Sequence, residues 1–350
     1  MISTKRSQYI LFMGIDCANP KGGIAQVLYT YKKYIFETFR FIPTTNTHNV
    51  LRRQITGITA GFKLLYHLLC HNVKVVHLHG GSGKSFYRKS LYINLCKLFR
   101  VKIIYHIHGG NFKNFTQEHP TTVDTLLKKC DTIVALNERW ATYFRAQGCG
   151  NVTAILNPIE PPVFLPVEKD SERLHLVFLG TITSRKGIYD LLQALNDNRD
   201  TLADKIVLHI GGIGESKQLL QTIKNLHLED MVLYHGFVAG EEKIKLFNTG
   251  DIFVLPSYIE GLPISILEAM SYRMPIIASN VGGIPDVVTD GENGYLITPG
   301  DTKKLGESII SLINSPELYA SMSRKSEESA IAYYPAQIEK SLDKLYDKYL

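Results

Sequence analysis

The feature that most constrains this chain is a rhythm in which a short β-rich apolar run, a turn with Gly or Asn, and a helical stretch follow one another repeatedly. The first series of runs covers 9–15, 73–78, 102–107, 132–136 and 153–156. After a break it resumes at 175–179, 206–210, 231–234, 252–255, 276–278 and 294–297. Apolar runs separated by helices predict parallel strands covered on both faces. The break, Asn157-Pro158-Ile159-Glu160-Pro161-Pro162 with Pro166 and a charged patch to Arg173, has the composition of an interdomain linker. A length of 350 residues accommodates about two domains. The expected class is therefore α/β: two doubly wound domains, 1–165 and 166–334, facing each other across a cleft. The last stretch, 335–350, spaces Ile338, Leu342, Leu345, Tyr346 and Tyr349 as one helix. That helix can pack on either domain, and a return to the first is the expectation.

Charge changes sign at the same break. Residues 1–165 hold 21 Lys+Arg against 7 Asp+Glu, a net +14, and 166–350 hold 18 against 26, a net −8. Basic residues cluster at Lys32-Lys33, Arg52-Arg53, Lys84 with Arg88-Lys89, and Lys97, Arg100 and Lys102. Such clusters are either solvated helix faces or a surface for anionic lipid or lipid phosphate. The aromatics are not interleaved in an RNA-reading pattern and no DNA-binding motif is present, so no nucleic-acid partner is expected. The run 9–15 stops at Asp16, far short of the roughly 20 residues that cross a bilayer. Lys5 and Arg6 precede it without a cleavage pattern behind, so it reads as a first strand rather than a signal peptide. Cys17, Cys70, Cys96, Cys130 and Cys149 are scattered and form no C-x-x-C, a usage that suits a reducing cytoplasm.

Chemistry concentrates in 256–270, Pro-Ser-Tyr-Ile-Glu-Gly-Leu-Pro-Ile-Ser-Ile-Leu-Glu-Ala-Met. A strand runs into a loop holding Glu260, and a helix is expected to start with Pro263 at its first position. The free N–H groups of the first helical turn make an anion site. Glu268 would lie roughly 7–8 Å further along the helix. A nucleoside diphosphate sugar has the matching layout, with sugar hydroxyls, then phosphates, then ribose hydroxyls, and carboxylates accept two hydrogen bonds from a diol.

This segment resembles the E-x7-E motif of retaining glycosyltransferases of family 4, which have the GT-B fold of two Rossmann-like domains. Other segments match in order: Leu179-Gly180-Thr181-Ile182-Thr183-Ser184-Arg185-Lys186-Gly187 is similar to the family's G-R-x-x-x-x-K-G phosphate loop, and His209-Ile210-Gly211-Gly212-Ile213-Gly214 to its second glycine loop. His235-Gly236-Phe237-Val238, the run from Ile277 to Asp286 and Asp290-Gly291-Glu292-Asn293-Gly294 are family-like too. The match is dense from 175 to 300 and thin over most of 1–165, where Gly22-Gly23 and His108 occupy the expected places.

The resemblance implies a role for each residue. Lys186 neutralises the departing diphosphate, Glu260 binds donor-sugar hydroxyls, and His108 contacts the sugar near the reacting carbon. Gly261 and Leu262 offer main-chain N–H groups, Ile264 and Ser265 hold the distal phosphate, and Glu268 holds the ribose. Val238 lies where the base is held by main chain, Gly212 lies in the second glycine loop, and Gly22 and Gly23 let a first-domain loop approach the phosphates. Thr181 stands where the family has Arg, so one phosphate cation is missing; Arg185 is the nearest other cation, but it adjoins Lys186 and adjacent residues point in different directions, so whether it compensates stays open. No metal or cofactor is implied. The expected activity is transfer of a sugar, from a UDP-sugar, to a saccharide or lipid-diphosphate-linked acceptor in surface polysaccharide synthesis. The expected place is the cytoplasm, peripheral at the inner membrane face.

Four other readings are weaker. His77-Leu78-His79-Gly80-Gly81-Ser82-Gly83-Lys84-Ser85 follows a strand as a P-loop does, but Leu78 stands where a phosphate-cradling NTPase needs its first Gly. That loop could instead receive an acceptor phosphate. The His77/His79 and His106/His108 pairs are each H-x-H on a strand, a spacing zinc sites sometimes use. A sugar-nucleotide epimerase shares the fold, and an NAD enzyme lacks its G-x-G-x-x-G after the first strand.

Overall fold

The computed structural model describes the chain apart from residues 19, 21, 46–49, 110–111 and 169–171 and the side chain of residue 50. It forms two compact units, Met1–Glu160 with Ala332–Leu350, and Pro161–Ile331. The division falls inside the proline stretch, a little ahead of the expected 165/166.

The first unit holds β1 (Ile10–Ile15), β2 (Phe41–Thr45), β3 (Val75–Gly80), β4 (Lys102–Ile107), β5 (Thr132–Ala135) and β6 (Val152–Ala154). They pair in parallel in the order β2-β1-β3-β4-β5-β6. The second holds β7 (Leu174–Leu179), β8 (Ile206–Gly211), β9 (Val232–Gly236), β10 (Ile252–Leu255), β11 (Ile276–Ser279) and β12 (Gly294–Ile297). Their order is β12-β11-β10-β7-β8-β9, again all parallel, which is the six-stranded Rossmann order. β3, β5, β8, β10 and β11 are buried along their whole length, as strands with both faces covered must be. The strand order reverses between β1 and β3 in one sheet and between β7 and β10 in the other. Loops leaving the carboxyl ends of two such strands diverge and open a crevice, the usual place for a ligand on an open α/β sheet.

Every apolar run read as a strand is one, and β2 is an addition. Phe41-Ile42-Pro43-Thr44-Thr45 buries only alternate residues and carries a proline, which an edge strand tolerates. It pairs with β1 alone, with a register break at Gly14/Ile15. Tertiary contacts hold it there. The Thr44 hydroxyl donates to the Gly14 carbonyl at 3.0 Å, and Lys89 Nζ donates to the Thr44 hydroxyl at 2.5 Å. Lys89 therefore leaves the basic surface cluster in which the sequence placed it, being 1 % exposed in the helix Lys84–Leu98.

The closing helix, Pro335–Tyr346, packs on the first unit through Ile338, Leu342, Leu345 and Tyr346. The Arg6 guanidinium donates to Asp343 at 2.7 Å and to Asp347 at 2.6 Å, and the buried Tyr346 hydroxyl lies 2.5 Å from His77 Nδ1. No described helix is long and apolar enough to cross a membrane.

Burial pushes the Lys89 ammonium down to about 7. The unfolded chain, with an ordinary lysine, holds that proton more tightly between pH 7 and about 10.5. Stability at this site therefore rises with pH across that window. Lys89→Met should be more stable than the wild type at pH 6.5, with an advantage that shrinks by pH 9.5 when both are unfolded in urea. A difference independent of pH would show that Lys89 is not a buried charge.

Candidate functional site

The loops at the carboxyl end of the second sheet are joined through their main chains. The Gly180 N–H donates to the Gly211 carbonyl, the Ile182 N–H to Ile213 and the Glu215 N–H to Ile182, at 2.8–3.0 Å. Gly212 has φ +147°, and a Cβ there would lie 1.7 Å from the Gly180 carbonyl oxygen, so no other residue fits. The Gly212 N–H reaches the Gly236 carbonyl at 2.6 Å, and Val238 is buried just beyond. Three successive loops, after β7, β8 and β9, thus share one backbone surface.

The loop after β10 joins them at the point of strand reversal. The Tyr258 N–H donates to the Arg185 carbonyl at 2.9 Å. Lys186 Nζ and the Glu260 carboxylate form an ion pair, with side chains only 17 % and 10 % exposed. Glu260 is braced from behind by Gly282, whose φ of +57° and close approach (a Cβ would sit 2.0 Å from the Glu260 carbonyl oxygen) again admit only glycine. The Gly283 N–H donates to the Gly261 carbonyl at 2.5 Å. The family-like run around Val281-Gly282-Gly283 therefore serves to fix Glu260.

The helix Ile264–Ser271 starts one residue later than expected. Pro263, at ψ 119°, is extended and takes the cap position, so Ile264 is the first helical residue. The Ile266 N–H bonds the Pro263 carbonyl at 3.2 Å, and the first-turn N–H groups of Ile264 and Ser265 have no helical acceptor before them. Leu262 and Ile264 bury their side chains, which leaves main chain as what they can present. Glu268 is 10 % exposed and accepts from Lys243 Nζ at 2.7 Å. Lys243 lies on the helix Gly240–Thr249 and was missed by the sequence reading, because no local pattern marks a lysine 25 residues from its carboxylate. Thr181 and Arg185 are both exposed in the β7 loop. The buried hydroxyls of Thr183 and Ser257, in the two loops that meet, have no hydrogen-bond partner among the described residues.

Gly22, Gly23 and His108 belong to the first unit. Gly22, at φ +103°, caps the helix Gly23–Thr30 just after β1. His108 follows β4, its N–H bonded to the Gly80 carbonyl at 2.9 Å and its Nε2 lying 2.9 Å from His79 Nδ1. It closes a stack of four imidazoles. His77, His79, His106 and His108 have neighbouring ring centroids 4.2–5.1 Å apart, and the first three are buried. Burial holds all four below the ordinary imidazole range, His77 and His108 at about 3, with Asn157 partly opposing the shift at His108. His108 is thus a neutral hydrogen-bonding group at physiological pH rather than an acid. Among the described residues His77, His79 and His106 are the group able to hold a metal, with ligand atoms within 4.8 Å of one another. Their planes are inclined by 19–37°, an arrangement suited to stacking more than to aiming three in-plane lone pairs at one ion.

Comparison with known proteins places this geometry. Residues 165–329 match the family model "Glycosyl transferases group 1". The N-acetyl-alpha-D-glucosaminyl L-malate synthase of Bacillus anthracis is 32 % identical over 168 residues, 48 % of this chain and 43 % of that protein. The putative colanic acid biosynthesis glycosyltransferase WcaL of Escherichia coli is 22 % identical over 242 residues, 65 % of this chain and 59 % of that one. The chain spans about half the length of the curated relatives it matches. Anabaena HepE, solved in complex with UDP and glucose, superposes with a TM-score of 0.78 over 97 % of this chain and 99 % of that one, at 17 % identity, a likeness of fold. The two Rossmann-like units are those of the GT-B fold.

Lys243→Met should leave Glu268 as a nearly buried charge without its partner and destabilise the protein by about 2 kcal/mol. Adding Glu268→Gln should recover most of that loss, a coupling read from urea unfolding of the two single variants and the double. Additive losses would mean that the pair contributes nothing as a pair.

Proposed function

We propose, from the premise that residues 165–329 are a group 1 glycosyl transferase domain, that this protein is a retaining glycosyltransferase. It moves a sugar from a UDP-sugar to a saccharide or lipid-diphosphate-linked acceptor in surface polysaccharide synthesis. It works in the cytoplasm, peripheral at the inner membrane face. The observation that carries the reading is the Lys186–Glu260 pair at the reversal of β7 and β10, beside the start of the helix Ile264–Ser271. Support for the donor comes from the UDP-bound fold neighbour, and support for the pathway class from the colanic acid relative.

In the free protein the cation and the carboxylate neutralise each other. A nucleotide sugar replaces each with a better partner, the diphosphate at Lys186 and the sugar hydroxyls at Glu260. The N–H groups of Ile264 and Ser265 take the distal phosphate at the positive end of the helix. Glu268, held by Lys243, receives the ribose diol, and main chain near Val238 faces the base. Gly212 lets phosphate approach the backbone of the loop after β8. His108, at the carboxyl end of the first sheet, offers a hydrogen-bonding group that burial keeps neutral.

In the reaction the bond from the anomeric carbon to the diphosphate oxygen breaks, and the acceptor oxygen bonds to the same face. The acceptor's proton passes to the departing phosphate oxygen. Negative charge grows on that oxygen, where Lys186 and the helix start stabilise it without reorganising. These fixed groups supply the charge neutralisation for which other transferases use a divalent cation, so transfer is expected to be metal-independent. Thr181 leaves one family cation out. Arg185, exposed beside Lys186, is the candidate replacement.

Lys186→Ala should abolish transfer from a UDP-sugar while circular dichroism stays that of the folded wild type, with the unfolding midpoint lowered because Glu260 loses its partner. Near-normal turnover in that variant would sink the mechanism.

A further inference from the structure

The helix Val50–Cys70 is apolar on two opposite sides. One side, with Gly57, Ala60 and Leu64, is buried. The other carries Leu51, Ile55, Ile58, Phe62, Tyr66 and Leu69, each 51–69 % exposed. At about 100° per residue these six fall within roughly 80° of arc, a continuous stripe along the whole helix. A solvent-facing helix side is normally polar, so such a stripe needs a cover. It broadens onto the neighbouring helix Lys84–Leu98, where Tyr87, Leu91 and Leu98 are exposed too. Leu91 Cδ2 lies 3.8 Å from the Cβ position at Gly61, so the two helices touch beside the stripe.

Charge indicates the cover. From Glu37 to Glu118 the sequence holds no Asp or Glu between those two residues. Arg52, Arg53, Lys63, Lys84 and Arg100 are all exposed in that stretch, on or next to these helices, while Lys97 is paired with Asp131 at 3.5 Å. A second copy of the chain laid on the stripe would bring Arg52 and Lys63 towards their own counterparts with no carboxylate on either helix to meet them. A nucleic acid would satisfy the charge and leave six large apolar side chains in water. An anionic lipid surface satisfies both, taking the apolar row at the headgroup boundary and the cations among the headgroups.

We infer that the face formed by Val50–Cys70 and Lys84–Leu98 docks on an anionic membrane. The two helices follow β2 and β3, so their starts, with Arg52, Arg53 and Lys84, lie at the carboxyl edge of the first sheet. That edge is where its crevice opens, and docking there would present the crevice to molecules anchored in the same membrane. The inference deepens the proposed function by naming the surface, and it rests on that reading only for what the membrane supplies.

Flotation of the full chain with phosphatidylglycerol–phosphatidylcholine vesicles and with pure phosphatidylcholine vesicles, at low and at physiological salt, tests it. Binding is expected to the anionic vesicles and to be weakened by salt. Ile58→Asp with Phe62→Asp should weaken it about tenfold or more. Arg52→Glu with Lys63→Glu should remove the preference for anionic lipid. Both double variants should keep the wild-type unfolding midpoint and response to UDP. No flotation at low salt, or unchanged flotation of Ile58→Asp/Phe62→Asp, would overturn the inference. So would a wild-type dimer, seen by analytical ultracentrifugation, that this variant splits, since a second copy would then be the cover. Loss of the UDP response with flotation intact would count against the proposed function and leave the docking surface standing.

Discussion

The ion pair between Lys186 and Glu260 is the contact on which the rest of the site depends. Its partners are 74 residues apart and meet because β7 and β10 are neighbours at the one place where the strand order of their sheet reverses. Each loop is then stiffened separately. The Lys186 loop is tied by main-chain bonds to the loop after β8, and the Glu260 loop rests against Gly282 and Gly283. Two flexible, oppositely charged side chains are thereby held on rigid backbone, so that a ligand carrying both an anion and a polyol can part them without remaking the surroundings.

The two units solve the problem of buried polar groups differently. The second pairs charges, Lys186 with Glu260 and Lys243 with Glu268, and keeps them at the ligand end of the sheet. The first removes charge instead. Its four stacked imidazoles are neutral, and Lys89 sits near its own titration point against a threonine hydroxyl. The positive charge of that unit is correspondingly left on its outside, where the helix Val50–Cys70 combines it with an exposed apolar row. The proposed ligand site and the proposed docking face thus have different chemistry in the same chain.

The strands were readable because a buried parallel strand is a plain apolar run, and its length and spacing survive in one dimension. β2 was not, since it has a proline, alternating burial and an anchor, Lys89, that only the fold brings to it. The segments carrying Lys186, Glu260 and Glu268 were likewise legible one by one, as local patterns with local reasons. Their assembly was not. Nothing in the sequence indicates that Lys186 touches Glu260, that Lys243 reaches Glu268, or that Gly282 fixes the Glu260 backbone. Pro263 shows the limit of local rules, since proline is favoured at a first helical position but here its ψ makes it the cap. The helix Val50–Cys70 shows another, because periodicity cannot tell which of two apolar faces is inside.

The central claim, that the Lys186–Glu260 pair is a closed form of a nucleotide-sugar site, is tested most directly by thermal unfolding with UDP, GDP, ADP, ATP and NAD, each with magnesium and with chelator. A nucleoside diphosphate that parts the pair and fills the site at 100 times its dissociation constant stabilises the protein by about 2.7 kcal/mol. The account predicts stabilisation by UDP that is unchanged by chelator. Stabilisation only by ATP with magnesium, or by no nucleotide at all, would contradict it.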